Sequence, residues 1–258
     1  MHQGFVGLII SHKHRLIFVH CRKAAGSSIV VSLSRYLGDQ DIQLSAIPDT
    51  VLCGLKPPER MISMGLTDLS VRQRLSLLNK NTKFKVIAEN VKRQFRKNLS
   101  MTPQHPKAAE IKAFFPSEWA SYKKFCVVRN PWTKTLSDYR WRTRKLKHPP
   151  SFKSYELALQ NGDDLDGIVP KNHDNWEMYT IENRVVVDHA INFDFLKDEL
   201  GSVLSECGIT WDGWLPKMKQ AKQLSIENSG FDSDTIEAIA NLYQREIAHF
   251  NFTFSGKI

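Results

Sequence analysis

The chain has 258 residues, 41% hydrophobic and 24% charged, with a formal net charge of +9. That length can bury a full core as one domain spanning 1–258, and the composition excludes a disordered or fibrous chain. The positive balance favours anionic partners such as nucleotides, nucleic acids, acidic glycans or membrane headgroups, and charge alone does not choose among them.

The segment Gly4 to Ile10 is apolar but short, lacks a small-residue cleavage site and runs into His12-Lys13-His14-Arg15, so it reads as a strand rather than a signal peptide. No apolar run reaches the roughly 18 residues of a membrane span, which predicts a protein without stable membrane insertion. Leu16 to Cys21 reads as a short buried strand because its apolar residues are nearly continuous. A loop with Gly26 follows, then a helix over 29–37 carried by Ile29, Val30, Leu33 and Leu37 and stopped by Gly38. From 39 to about 80, five prolines and glycines predict an irregular connection with a short helix near 70–78. Thr82 to Ala88 reads as extended, 107–114 as helical, and Pro116 as the start of another turn.

Phe125 to Val128 is a second buried strand, and Pro131 opens a helix reaching about 145, where its missing N–H costs nothing. The stretch 148–171 is polar and bears proline and glycine. Arg184 to Ile191 reads as a third strand, and 195–207 as a helix ended by Gly208. The last helix, 235–250, sets Ile236, Ile239, Ala240, Tyr243 and Ile247 on one face, with Asp234 and Glu237 at its start. Strands alternating with helices predict an α/β fold with a mainly parallel central sheet flanked by helices, and ligands bind such sheets beyond their strand ends. Cys21, Cys53, Cys126 and Cys207 are widely spaced, without a Cys-x-x-Cys pair. They fit reduced thiols in a cytoplasmic protein better than disulfides or a zinc site.

The segment around Gly26 is the strongest anion-binding signal. Glycine permits close backbone approach, and the N–H groups of Gly26, Ser27 and Ser28 open a helix whose positive end faces the same point. Arg22 and Lys23 add charge. A plain helix cap with solvated basic neighbours uses the same residues. The pattern Gly-x-x-x-x-Gly-Lys-Ser/Thr is absent, which disfavours a nucleoside triphosphate site.

The run His20-Cys21-Arg22-Lys23-Ala24-Ala25-Gly26-Ser27-Ser28-Ile29 resembles the 5′-phosphosulfate loop of sulfotransferase family 2, His-Ile-Pro-Lys-Thr-Ala-Gly-Thr-Ser-Ile. Phe125 to Tyr139 is similar to that family's 3′-phosphate segment, with Arg129 and Ser137 at its required spacing of eight. Gln104 to Ile111, Val187 to Leu196 and Tyr243 to Phe252 resemble further segments of the family, so the likeness runs from about 15 to 252 and is weakest over 39–100. Arg22 and Ala24 depart from the loop's proline and threonine, and Asn192 and Asp194 from an arginine and a glutamate.

The resemblance implies a P-loop-like three-layer sandwich and use of 3′-phosphoadenosine-5′-phosphosulfate to sulfate an acceptor hydroxyl, carried by a glycan. It assigns the donor to Arg22, Lys23, Ala25, Gly26, Ser27, Ser28, Arg129 and Ser137, with no metal. An ammonium beside the leaving oxygen stabilises charge that grows in the transition state, which makes Lys23 the catalytic candidate. His105 is the candidate general base, since histidine titrates near pH 6.5; a carboxylate is the alternative. His20 reads as structural, and His12, His14, His148 and His173 as surface residues. Arg140, Arg142, Arg144, Lys145 and Lys147 around Trp141 read as a solvated helix face, with contact to the donor or to an acidic acceptor as the other reading. A kinase-like phosphotransferase is opposed by the missing lysine motif and metal-binding acids. A nonenzymatic anion- or nucleic-acid-binding module is opposed by basic residues gathered at phosphate-type loops rather than interleaved with exposed aromatics.

Overall fold

The structure is a computed structural model, and it describes residues 8–67, 79–96, 99, 105–218 and 230–254. In chain order the elements are β1 (Leu8–Ser11), β2 (Leu16–Val19), α1 (Gly26–Leu33), β3 (Ile42–Gln43), α2 (Ile47–Leu52), α3 (Glu59–Gly65), α4 (Lys80–Phe95), α5 (Ala108–Phe114), α6 (Pro116–Ser121), β4 (Lys123–Val128) and α7 (Pro131–Thr143). They continue with α8 (Phe152–Asn161), α9 (Trp176–Tyr179), β5 (Thr180–Ile181), β6 (Arg184–Val185), β7 (His189–Asn192), a 3-10 turn over Phe193–Phe195, α10 (Leu196–Glu206), α11 (Ser233–Leu242) and α12 (Gln244–Phe250). The chain divides into two compact units, Met1–Val128 with Glu177–Met218 and Arg129–Trp176 with Lys219–Ile258.

The first unit is a mixed α/β layer. Its five-stranded sheet has the order β3-β1-β2-β4-β7. β2, β4 and β7 are parallel, as alternation of strands and helices requires, but β1 is antiparallel to both β2 and β3. The tight turn between β1 and β2 leaves no room for a crossover, so these neighbours must run in opposite directions. Asp41 holds that turn, accepting from Ser11 Oγ at 2.7 Å and from the N–H groups of His12, Lys13 and Gly38. All of β1 and β2 is buried, which is why both read as unbroken apolar runs.

Several expectations change. Pro48 and Pro58 start α2 and α3 rather than breaking the chain, since proline is tolerated in a first turn or cap. Residues 82–88, expected to be extended, lie inside α4, where Asn79 accepts from Thr82 N–H and Ile87, Val91 and Phe95 are buried at helical spacing. The expected helix near 70–78 lies outside the described residues. α1 begins and ends earlier than expected, because the N–H groups of Arg35 and Tyr36 turn to carbonyls three residues back. The third strand is split: Arg184–Val185 pairs antiparallel with Thr180–Ile181 through Glu182 and Asn183, both at positive φ, and only His189–Asn192 joins the main sheet.

The second unit is helical in its described part. α8 falls within the stretch expected to be a polar connection. Ser151 caps it, and Tyr155, Ala158 and Leu159 are buried with Val169. Trp132 Nε1 donates to the Ile236 carbonyl at 2.9 Å and ties α7 to α11. The final helix is broken at Tyr243, and its cap is Asp232 with Thr235 rather than Asp234 with Glu237.

Candidate functional site

β2 ends at Val19, and His20-Cys21 lead into a turn over 22–25 that runs directly into α1. Lys23 and Ala25 both lie in the left-handed region, at φ 58° and 56°, with Ala24 at negative φ between them. A non-glycine residue there costs about 1–2 kcal/mol. Alternating backbone of this kind turns successive N–H groups toward one concave side, where anions bind. The N-cap of α1 is Ala25, which has no side-chain oxygen to offer the first turn, and no acidic residue occupies that turn. The helix's positive end is therefore left without an anion from its own first residues.

Each nominated residue of this loop has a definite place. Arg22, Lys23, Ala25 and Ser27 are half-buried, while Gly26 and Ser28 are buried. Ser28 Oγ accepts from the Met218 N–H at 3.2 Å and keeps its own proton to donate. Ala24 is buried in the core, so the departure from threonine falls on a side chain that meets protein rather than solvent. Gly26 is required by close approach: a Cβ there would lie 1.7 Å from His20 Cδ2 and Nε2. The His20 ring fills that space.

His105 arrives from a distant part of the chain. Its Nδ1 lies 2.8 Å from the carbonyl oxygen of His20, 85 residues earlier. A carbonyl oxygen only accepts, so in the neutral ring Nδ1 carries the proton and Nε2 the basic lone pair. The rings of His20 and His105 meet edge to face at 4.9 Å. The structure thus joins the Gly26 loop and His105, two segments nominated from separate motifs. No family model, no curated protein and no solved structure matches the chain.

Arg129 and Ser137 belong to the second unit. Arg129 Nε donates to Thr133 Oγ1 at 3.2 Å. Ser137 is half-buried one turn beyond Thr133 on the same face of α7, and among the described residues its hydroxyl makes no hydrogen bond. Thr133 was not nominated from the sequence; its spacing of four from both Arg129 and Ser137 was the available signal. The neighbouring Asp138 is fixed, accepting from Tyr155 Oη and Arg142 Nε at 2.9 Å each. Of the basic run, Arg142 is thus half-buried and bonded within the protein, and it also donates to the Ile168 carbonyl. Arg144 lies 3.4 Å over the Trp141 ring, and burial pulls the Arg140 guanidinium below the usual arginine range.

The same motif-bearing helix holds a pair that the sequence did not expose. Lys134 Nζ lies 2.8 Å from Glu246 Oε2, with the two side chains 3% and 4% exposed, and 4.0 Å over the Tyr243 ring. Burial works against the ammonium, but Glu246 and Tyr243 overcome it and hold its pKa above the ordinary lysine value. The Tyr243 phenol is pushed up to about 12 by burial. His173, expected on the surface, is half-buried with Nδ1 at 3.1 Å from Tyr243 Oη.

A mostly apolar cavity of about 570 Å³ opens elsewhere on the first unit, against α5 and α6, with Lys112, Pro116, Trp119 and Ile181 in its wall. None of the nominated residues lines it. Among the described residues no group of three or more His, Cys, Asp or Glu could hold a metal, and no helix is long and apolar enough to cross a membrane. All four cysteines are free thiols.

Proposed function

We propose that the chain is a sulfotransferase that moves a sulfuryl group from 3′-phosphoadenosine-5′-phosphosulfate to a hydroxyl of an acceptor, a carbohydrate in the first instance. The observation that carries the reading is the hydrogen bond between His105 and the His20 carbonyl. It joins the proposed base to the residue that supports the proposed phosphosulfate loop.

In this reading the mixed sheet belongs to a P-loop-like three-layer sandwich in a cytoplasmic enzyme, with a glycan rather than nucleic acid as partner. The Gly26 loop takes the 5′-phosphosulfate, and Arg129 and Ser137 take the 3′-phosphate through a forked guanidinium and a hydroxyl. The acceptor oxygen attacks sulfur as the bond from sulfur to the 5′-phosphate oxygen breaks. The acceptor proton passes to His105 Nε2, and Lys23 stabilises the charge left on the departing oxygen. The products are the sulfated acceptor and adenosine 3′,5′-bisphosphate.

The test is calorimetry with adenosine 3′,5′-bisphosphate and with ATP, followed by transfer of labelled sulfate to a panel of glycans, lipids and small alcohols. Binding of the bisphosphate but not ATP is expected, and preference for ATP sinks the proposal. His105→Ala is expected to slow transfer about 10²- to 10⁴-fold, the usual contribution of general base catalysis, with bisphosphate affinity preserved. An unchanged rate moves the base elsewhere.

A further inference from the structure

In the sequence His20 follows a buried strand and opens the loop motif, and in the structure two independent contacts converge on it. Phe18 and His20 are two apart on the β2 path and share a face of the sheet. Phe18 pairs in register with Phe125 on β4, and their rings stack at 4.9 Å. The His20 ring stacks over Phe18 at 5.9 Å with a tilt of 20°, and the His105 ring closes the column edge-on at 4.9 Å. A line of four rings therefore runs from the sheet core to His105. His20 is 6% exposed, so the protein fixes its ring rather than solvent.

We infer that His20 is a positioning residue for this site: its ring sets the height of the Gly26 loop, and its carbonyl fixes His105 as the Nδ1–H tautomer. The first half follows from space. The ring stands where a Cβ at residue 26 would be, 1.7 Å from two of its atoms, so loop and ring fit only while residue 26 is glycine. The second half follows from chemistry. The oxygen 2.8 Å from His105 Nδ1 has no proton to give, so the ring turns its other nitrogen, Nε2, away as the basic one. One residue thereby couples the backbone that would cradle an anion to the nitrogen that would take a proton. Only the chemical use of this coupling rests on the sulfuryl-transfer reading; the geometry stands without it.

The experiment has two arms on the full chain. In the first, ring ¹⁵N and ¹³C shifts of His105 are read by NMR, assigned by comparison with His105→Gln, at a pH where the ring is neutral. The Nδ1–H form is expected, and a predominantly Nε2–H ring overturns the inference. In the second, Gly26→Ala, His20→Ala and the double variant are compared by unfolding midpoint and by affinity for adenosine 3′,5′-bisphosphate. Gly26→Ala is expected to lower the midpoint and to weaken the bisphosphate about tenfold, the loss of roughly one charged hydrogen bond. The added His20→Ala is expected to restore most of both. A double variant no better than Gly26→Ala overturns the coupling. If Gly26→Ala does not fold, recovery of folding in the double variant is the readout. Should the bisphosphate bind none of these proteins, wild type included, the donor reading fails while the tautomer and the midpoints still decide the role of His20.

Discussion

Lys23 and Lys134 sit in the two segments that resemble phosphate-binding motifs, one in each compact unit, and they differ in burial and in backbone. Lys134 is buried, paired with Glu246 at 2.8 Å and covered by the Tyr243 ring. Its charge is compensated inside the protein, and the pair joins α7 to α12. Lys23 is half-buried on a left-handed backbone, in a loop leading to a helix end with no acid in its first turn. The first arrangement is what a structural cation needs, because a charge out of water costs several kcal/mol unless it is matched. The second keeps a cation near solvent on strained backbone, and such strain gathers at functional sites. The two lysines thus differ in burial and backbone, and the proposed function gives Lys23 the work that the Lys134 pair does not do.

The largest expected effect tests the structural half. Lys134→Met leaves the Glu246 carboxylate buried without its partner, and urea unfolding is expected to show a loss of about 3–5 kcal/mol. A joint Lys134→Met and Glu246→Leu change should recover most of it. A loss below about 1 kcal/mol, the value of an exposed pair, would place Lys134 in the same class as a surface lysine.

The mirror experiment is Lys23→Ala, which should cut sulfate transfer by about 10²- to 10³-fold, as removal of one oxyanion donor does. Unfolding should move by no more than about 0.5 kcal/mol, as is usual for substitutions of partly exposed residues. Wild-type turnover, or a large loss of stability, would erase the contrast between the two lysines. Arg129→Ala comes next. It should weaken the bisphosphate about 10- to 100-fold in calorimetry, the range for a charged hydrogen bond, and an unchanged affinity removes Arg129 from the donor site.

The smallest effect is electrostatic and lies at the α11 cap. The Thr235 backbone N–H, Lys153 and the Thr235 hydroxyl hold Asp232 down to about 2. A carboxylate lowered in the folded state contributes stability above its unfolded pKa of about 3.9, and that contribution is lost as pH falls toward 2. Asp232→Asn should flatten the pH dependence of unfolding between those two values and leave the neutral-pH slope unchanged. A slope below pH 4 identical to wild type would assign that dependence to other carboxylates.

Local patterns carried the element types wherever burial was uniform. β2 and β4 were legible because both faces are covered, and α10 because its apolar period ends at Gly208, which adopts φ 70°. Reading failed where one residue type serves two ends. Proline was taken as a breaker at 48 and 58, and it begins helices there. A run of valines was taken as one strand, though Glu182-Asn183 folds its first part into a separate hairpin without the Asn-Gly signal of such turns. α4 was misread because the window ended before Val91 and Phe95 could show the helical period.

The sequence by itself nominated residues for the proposed anion site, Lys23, Gly26, Ser27, Ser28, Arg129 and Ser137, with His105 as the proposed base. Those features are local, set by side-chain type and spacing along one strand end or one helix turn. Only the tertiary structure decided which of them meet and what each is held by. The His20 carbonyl reaches His105 across 85 residues, and the His20 ring makes glycine obligatory at 26. Glu246 turns Lys134 inward across 112 residues. These are long-range contacts, specified by strand register and helix packing rather than by any local pattern, and they show that Lys134 is held for structure while the proposed role of Lys23 rests on its place in the Gly26 loop.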